Sequence, residues 1–283
     1  MMRMHRSHLL ALACLLSGCL PWGDASDWAD APAGVVSWEW ILQSDALPDA
    51  PPAVQHMGFD GLEADAAYVQ AVMDAGAEPW CYLSVGTAEE AREDFAEFEA
   101  RDQAARDAGE DPILGEPLPG WPDERILNLG RYEDFVDLMR ARLQVCADKG
   151  FVRVEFDNMD TWTFDVQPSF SQEQTADYVE ALVSEAAGLG MGVIHKNAPD
   201  LIPELEPIMD ALLFESCVLW DECDTAAPFV ASGKPVFDAE YPDGPWGEQG
   251  KSATVEQMCA GADVSVLIKK RDLDDSTIVC AAR

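Results

Sequence analysis

The chain has 283 residues, of which 48% are hydrophobic and 9% aromatic, enough for a full core in one large domain or two small ones. Its formal net charge of −35 leaves no basic stripe to neutralise phosphates, which argues against a nucleic-acid partner, and its hydrophobic content excludes a disordered acidic polymer. The charge favours a cationic ligand, but solubility or a salt-adapted proteome accounts for it equally well.

In chain order, the first feature is a targeting segment. Arg3 and Arg6 form a basic n-region, followed by a short apolar run over residues 9–16. That run is too short to span a bilayer as a helix. Leu16-Ser17-Gly18-Cys19 has the form of a bacterial lipoprotein cleavage box. Residues 1–18 are therefore predicted to be a signal peptide, Cys19 a lipidated first residue, and 19–33 an acidic tether to a domain over 34–283. An ordinary secretory signal with an incidental cysteine is the alternative. Either way the protein is expected to be exported, to the cell envelope or beyond. Leu20 after Cys19 permits outer-membrane sorting.

Apolar periodicity predicts strands over 35–42, 54–59, 78–85, 152–157, 192–197, 211–215, 235–241 and 264–269. Residues 126–129 read as a further strand or a loop extension. Helices are predicted over 62–75, 88–108, 131–148, 172–189, 201–209 and 254–262. Ser171 with Gln174 forms a capping-box signature, and Gly76, Gly150, Gly190 and Gly233 stand where helices stop before strands. The four prolines within 111–124 predict a long irregular loop over one face. About eight strands alternating with helices is the pattern of a (β/α)8 TIM-type barrel in a single α/β domain. A doubly wound sheet is disfavoured because no glycine-rich phosphate loop follows the first strand.

Six cysteines follow residue 19, an even number that suggests disulfides in an exported protein. Cys217 and Cys223 are the closest in sequence and make the best pair. Cys259 with Cys280 would staple the C-terminal end, leaving Cys81 with Cys146. The histidines (His5, His8, His56, His195) have no metal-ligand spacing, no CxxC occurs and no calcium-loop pattern is present, so zinc and a divalent metal on the Asp cluster are weak alternatives, and neither metal nor cofactor is expected.

Strand alternation places Val152, Val154 and Phe156 on one face and Arg153, Glu155 and Asp157 on the other. In a barrel the apolar set meets the helices and the polar set points inward. By the same logic Leu212 and Phe214 face out and Glu215 faces in. Tyr82 and Ser84 share a face, as do Asp238 and Glu240, so several acids are expected on one rim. Asp157 and Glu215 each close a strand, as the two carboxylates of a glycosidase do: one protonates the leaving oxygen, and the other attacks or activates water. The alternative is that the inward acids pair with Arg153, Lys196 or Lys269 in a buried charge network. Trp38, Trp40, Tyr82, Trp121, Trp162, Trp220 and Tyr241 would supply sugar-stacking rings, with cation–π attraction for an amino sugar.

Trp38-Glu39-Trp40, the run Cys81 to Gly86, Gly120-Trp121-Pro122, Glu155-Phe156-Asp157-Asn158-Met159-Asp160, Lys196-Asn197, Glu215-Ser216-Cys217 and Glu240-Tyr241 together resemble glycoside hydrolase family 114, the endo-α-1,4-polygalactosaminidases. The resemblance runs over about 36–241. It implies a (β/α)8-type barrel that hydrolyses α-1,4-linked galactosamine polymers through Asp157 and Glu215. It also implies substrate contacts from Tyr82, Asn158, Asp160, Lys196 and Asn197. Trp38 is added as a contact because it is a ring on the first strand, and Ser84, Glu240 and Tyr241 because they lie towards the ends of theirs. The expected partner is an amino-sugar polysaccharide, with membrane contact only through a lipid on Cys19. A non-catalytic polysaccharide-binding surface lipoprotein is the alternative function.

Overall fold

The computed structural model describes residues 36–164, 167–242, 244, 252–260 and 264–280. The predicted signal peptide, Cys19 and the tether lie outside them. The strands are β1 (Trp38–Ile41), β2 (His56–Asp60), β3 (Glu78–Ser84), β4 (Thr87–Glu89), β5 (Leu114–Leu118), β6 (Trp121–Leu127), β7 (Arg153–Asp157), β8 (Gly192–Lys196), β9 (Ala211–Glu215), β10 (Val236–Glu240), β11 (Ser265–Lys269) and β12 (Thr277–Val279). The helices are α1 (Ala66–Asp74), α2 (Phe95–Ala108), α3 (Val136–Lys149), α4 (Gln172–Gly188), α5 (Ile202–Leu205), α6 (Cys217–Trp220), α7 (Ala227–Ser232) and α8 (Val255–Met258).

The main sheet runs β1-β2-β3-β7-β8-β9-β10-β11-β12. Every pairing from β1 through β11 is parallel, and β12 returns antiparallel to β11. The result is a nearly closed, barrel-like sheet. Its seam is bridged by side chains: Trp38 Nε1 donates to the Ser265 carbonyl (2.8 Å), and Lys269 Nζ reaches Glu39 Oε1 (2.8 Å). Each predicted barrel strand is present, with both ends within three residues of those predicted.

Two apolar clusters follow from strand alternation. Cys81, Leu83, Val154, Phe156, Leu212 and Phe214 pack outward against the helices. Trp38, Trp40, Trp80, Leu213, Phe237 and Leu267 fill the interior. Gly58 makes that filling possible, since a Cβ there would lie 2.0 Å from Trp80 Nε1. The Ser171–Gln174 capping box opens α4.

Three segments depart from expectation. Residues 111–124 do not form an irregular loop. β5 and β6 make an antiparallel hairpin that joins β4 in a second sheet, β4-β6-β5. Pro117 is tolerated because β5 is an edge strand with an irregular register, and Pro119-Gly120 supplies the tight turn, with Gly120 at φ 90°. β4 also replaces the start of the helix expected over 88–108, which begins at Phe95. The helix expected over 201–209 is broken into 3-10, α and 3-10 pieces. Pro203 and Pro207 lack the amide protons a continuous helix requires.

The three cysteine pairs form as expected: Cys81–Cys146, Cys217–Cys223 and Cys259–Cys280. Among the described residues no helix is long and apolar enough to cross a membrane.

Candidate active site

A cavity of about 1700 Å³ opens at the carboxyl ends of the parallel strands, lined by Tyr82, Asp157, Lys196 and Glu215, among others. Asp157, Lys196 and Glu215 are the last residues of β7, β8 and β9. Each is followed by a residue with a left-handed backbone: Asn158 (φ 63°), Asn197 (φ 49°) and Ser216 (φ 65°). Asparagine tolerates this region better than most residues, and the sharp exits turn the chain away so that the strand-end side chains face the cavity.

Lys196 is 3% exposed and sits at the centre. Its Nζ lies 3.1 Å from Asp157 Oδ2, 3.0 Å from Glu215 Oε2 and 3.7 Å from Glu155 Oε1. It also stands over the Trp40 and Tyr82 rings, at 4.7 and 5.5 Å. Burial disfavours its charge, but the three carboxylates outweigh burial and raise its pKa. Asp157 accepts from Tyr82 Oη (2.8 Å) and from the Asn158 amide (2.8 Å). Burial and the Asp157 charge hold the Tyr82 phenol protonated, so it remains a donor. Glu215 accepts from Tyr241 Oη, and its own amide donates to Asn197 Oδ1 (2.8 Å).

Below this layer Glu155 is fully buried. One of its oxygens accepts from the indoles of Trp40 (3.0 Å) and Trp80 (2.9 Å). Burial pushes its pKa up to about 8 against the opposing pull of Lys196. At the rim, burial and the Asp157 charge raise Asp160 to about 6. Glu124, from the β5–β6 hairpin, is raised to about 7, chiefly by burial. A hydrogen-bond chain ties Glu124 to the strand ends: Asn158 Nδ2 donates to Ser84 Oγ (2.8 Å), which meets Thr87 Oγ1, and Thr87 donates to Glu124 Oε2 (2.7 Å).

Of the expected contact residues, Tyr82, Asn158, Asp160, Lys196 and Asn197 line the cavity with Asp157 and Glu215. Trp38 does not. It lies deep in the barrel against Trp80 and Phe237. Ser84 sits beneath Asn158, and Tyr241 beneath Glu215, both fully buried.

Glu240 and Asp238 point the other way from expectation. Phe237, Ala239 and Tyr241 take the interior face of β10, because that interior is packed with rings. The two acids turn outward under the segment after β9. Asp238 Oδ1 accepts from the Cys217 amide (3.2 Å) and Glu240 Oε1 from the Val218 amide (2.7 Å). Burial raises both pKa values, and the two groups repel each other's charge, raising Asp238 further.

The pairing considered as the alternative is present in part. Lys196 lies 3.7 Å from Glu155 and Lys269 pairs with Glu39 in the interior, whereas Arg153 pairs with the half-exposed Glu78 (3.1 Å).

The sequence reading missed Asp60 and Glu124. Asp60 ends β2 on the cavity side, clamped by Arg92 at 2.6 Å, and the strand-end rule applied to β7 would have found it. Glu124 was hidden in a segment read as loop. Cys217, Cys223 and Asp238 offer three potential metal-ligand atoms within 4.8 Å, but the two sulfurs are joined to each other.

Carboxylates gathered around one ammonium at the carboxyl end of a barrel-like parallel sheet are suited to breaking glycosidic bonds. The known relatives agree that this is a glycoside hydrolase. It belongs to glycoside-hydrolase family GH114, whose model matches residues 20–283. Among solved structures it is similar to Aspergillus fumigatus Ega3 in complex with galactosamine, at 30% identity and TM-score 0.77, covering 88% of this chain and 96% of that one. The glycoside hydrolase domain of PelA from Pseudomonas aeruginosa shares the fold at 16% identity and TM-score 0.56, covering 87% and 98%. No curated protein sequence matches.

Proposed function

We propose that this exported enzyme hydrolyses an α-1,4-linked, galactosamine-containing exopolysaccharide on a (β/α)8-type barrel, with Asp157 as nucleophile and Glu215 as acid/base. The observation that carries this reading is Lys196 Nζ, held within 3.1 Å of Asp157 and 3.0 Å of Glu215. Both carboxylates touch one ammonium, so their nearest oxygens lie no more than about 6 Å apart. That ceiling on the nearest oxygens accommodates the roughly 5–5.5 Å separation of a retaining pair. The likeness to Ega3, whose structure holds galactosamine, supports an amino sugar.

In the first step Asp157 attacks the anomeric carbon while the glycosidic oxygen leaves with a proton from Glu215, giving a glycosyl ester on Asp157. In the second, Glu215 takes a proton from water, the hydroxide attacks the same carbon, and Asp157 departs as a carboxylate. Asp157 loses its negative charge in the first step as Glu215 gains one. Lys196, beside both, stays paired throughout. Tyr82 and the Asn158 amide stabilise Asp157 as a leaving carboxylate. Outside the described residues, we assign residues 1–18 to a signal peptide and Cys19, at the head of the tether, to a lipid anchor.

The test is incubation with partially deacetylated α-1,4-galactosamine polymer, following reducing ends and the anomer first released. Wild type is expected to release α-anomers, and Asp157→Asn and Glu215→Gln to be folded and inactive. Release of the β-anomer would replace retention with inversion. Undiminished release by either variant would remove that carboxylate from the mechanism. Polymer binding without release would make the protein a binding module.

A further inference from the structure

A second, smaller cavity of about 210 Å³ shares part of its lining with the first and is lined by Trp121, Pro122, Asp123 and Glu124 of β6. The two share Glu89, Arg92, Trp121 and Glu124 as lining, so these four residues form the wall common to both. Trp121 is 43% exposed, an unusual position for the largest apolar side chain. The small cavity adds Glu63 and Asp123, both outside the main site. Among its described lining residues the one cation, Arg92, is already committed to Asp60 (2.6 Å), Glu89 (2.5 Å) and Glu63 (3.4 Å), and Glu63 also accepts from Ser44 Oγ (2.6 Å). Carboxylates therefore remain in excess there.

The platform under Trp121 is fixed. Pro119-Gly120 makes the turn immediately before it, the Glu90 amide donates to the Asp123 carbonyl (2.9 Å), and Arg125 Nε holds the Gly115 carbonyl (2.8 Å). An exposed indole on the wall shared by two cavities, with acids beside it, is suited to one ligand chemistry: a sugar ring that stacks by its C–H face and carries an ammonium for the carboxylates.

We propose that this second cavity is an outlying subsite for a further amino-sugar unit of the polymer, remote from the bond being cut, with Trp121 as its stacking surface and Glu63 and Asp123 as partners for its ammonium. The subsite rests on the substrate class given under Proposed function, and deepens it. A chain that fills both cavities is held on two sides of Trp121, so binding energy grows with chain length.

The test uses α-1,4-linked galactosamine oligomers from dimer to octamer. For the wild type, kcat/KM is expected to rise with length until both cavities are filled. Trp121→Ala should flatten that rise, with a loss about tenfold larger on the longest oligomer than on the shortest cleaved one. Trp121→Phe should keep most of the rise. Glu63→Gln should reduce it for free-amine oligomers and leave it intact for their N-acetylated counterparts. Losses equal at every length in Trp121→Ala would overturn the subsite, as would unchanged kinetics.

The same series is titrated onto the Asp157→Asn/Glu215→Gln variant by calorimetry, with and without Trp121→Ala. If the wild type cleaves no oligomer, Proposed function fails and this binding decides the subsite separately. Affinity that rises with length and loses the rise in Trp121→Ala upholds it. Affinity independent of length, or unchanged by Trp121→Ala, overturns it.

Discussion

Burial alone would strip Lys196 of its proton and force one onto Glu155. In the folded protein the two are 3.7 Å apart and share Asp157 and Glu215 as neighbours, so each one's charge depends on the other. Glu155 holds its proton to about pH 8, whereas an unfolded glutamate releases it near about 4.3. Between those values the folded state binds more protons than the unfolded one. Stability is thus greatest below the unfolded pKa, falls as pH rises, and has lost this contribution above about pH 8. Melting temperature followed from pH 5 to pH 9 is expected to fall, and Glu155→Gln, which cannot ionise, should flatten the slope. An equal slope in the variant would assign the effect to other groups. At this scale the strand-end acids were legible, because alternation and position together put Asp157 and Glu215 on one rim. The direction of Glu240 was not. Alternation pairs Asp238 with Glu240 and Phe237 with Ala239, but it does not say which pair faces in, and here the ring-filled interior selects Phe237.

At the scale of elements, the segment after β9 is held from several sides. Asp238 and Glu240 on β10 take the amides of Cys217 and Val218, and the Cys217–Cys223 disulfide closes the turn that carries Trp220 into the cavity. Glu240→Ala leaves the Val218 amide buried without that acceptor, at an expected cost of about 1–3 kcal/mol. Denaturant unfolding should show that loss, accompanied by lower kcat. Glu240→Gln keeps an acceptor oxygen and should recover most of both. If Glu240→Gln were as damaged as Glu240→Ala, the carboxylate would matter for its charge and not for the hydrogen bond. The parallel strands were legible as apolar runs of the right length. The β5–β6 hairpin was not, because prolines usually argue against strands. β5 is an edge strand, and an edge residue needs no inward-facing N–H.

Across the whole molecule the charge is −35, and the two cavities carry Asp60, Glu63, Glu89, Asp123, Glu124 and Asp160 on their lining beside the cations Arg92, Lys196, Lys269, Lys270 and Arg271. That field draws a cationic polymer inward, and mobile ions weaken it, with the screening length shrinking from about 10 Å at 0.1 M to about 3 Å at 1 M salt. For a deacetylated polymer, kcat/KM is expected to drop about tenfold over that range. The same salt relieves self-repulsion, so the melting temperature should hold or rise. Turnover indifferent to salt would remove long-range attraction from the account. Composition alone left this function open, since excess acid serves solubility equally well.

The seam between β1 and β11 has one more consequence. Trp38 and Ser265 are 227 residues apart, and their hydrogen bond spans nearly the entire described chain. Closing so long a loop carries an entropic cost, so the seam is expected to be among the later contacts to form. The burial that shifts the proton affinities of Glu155 and Lys196 belongs to the closed ring. A species with the seam open is therefore expected to titrate both groups nearer their ordinary values.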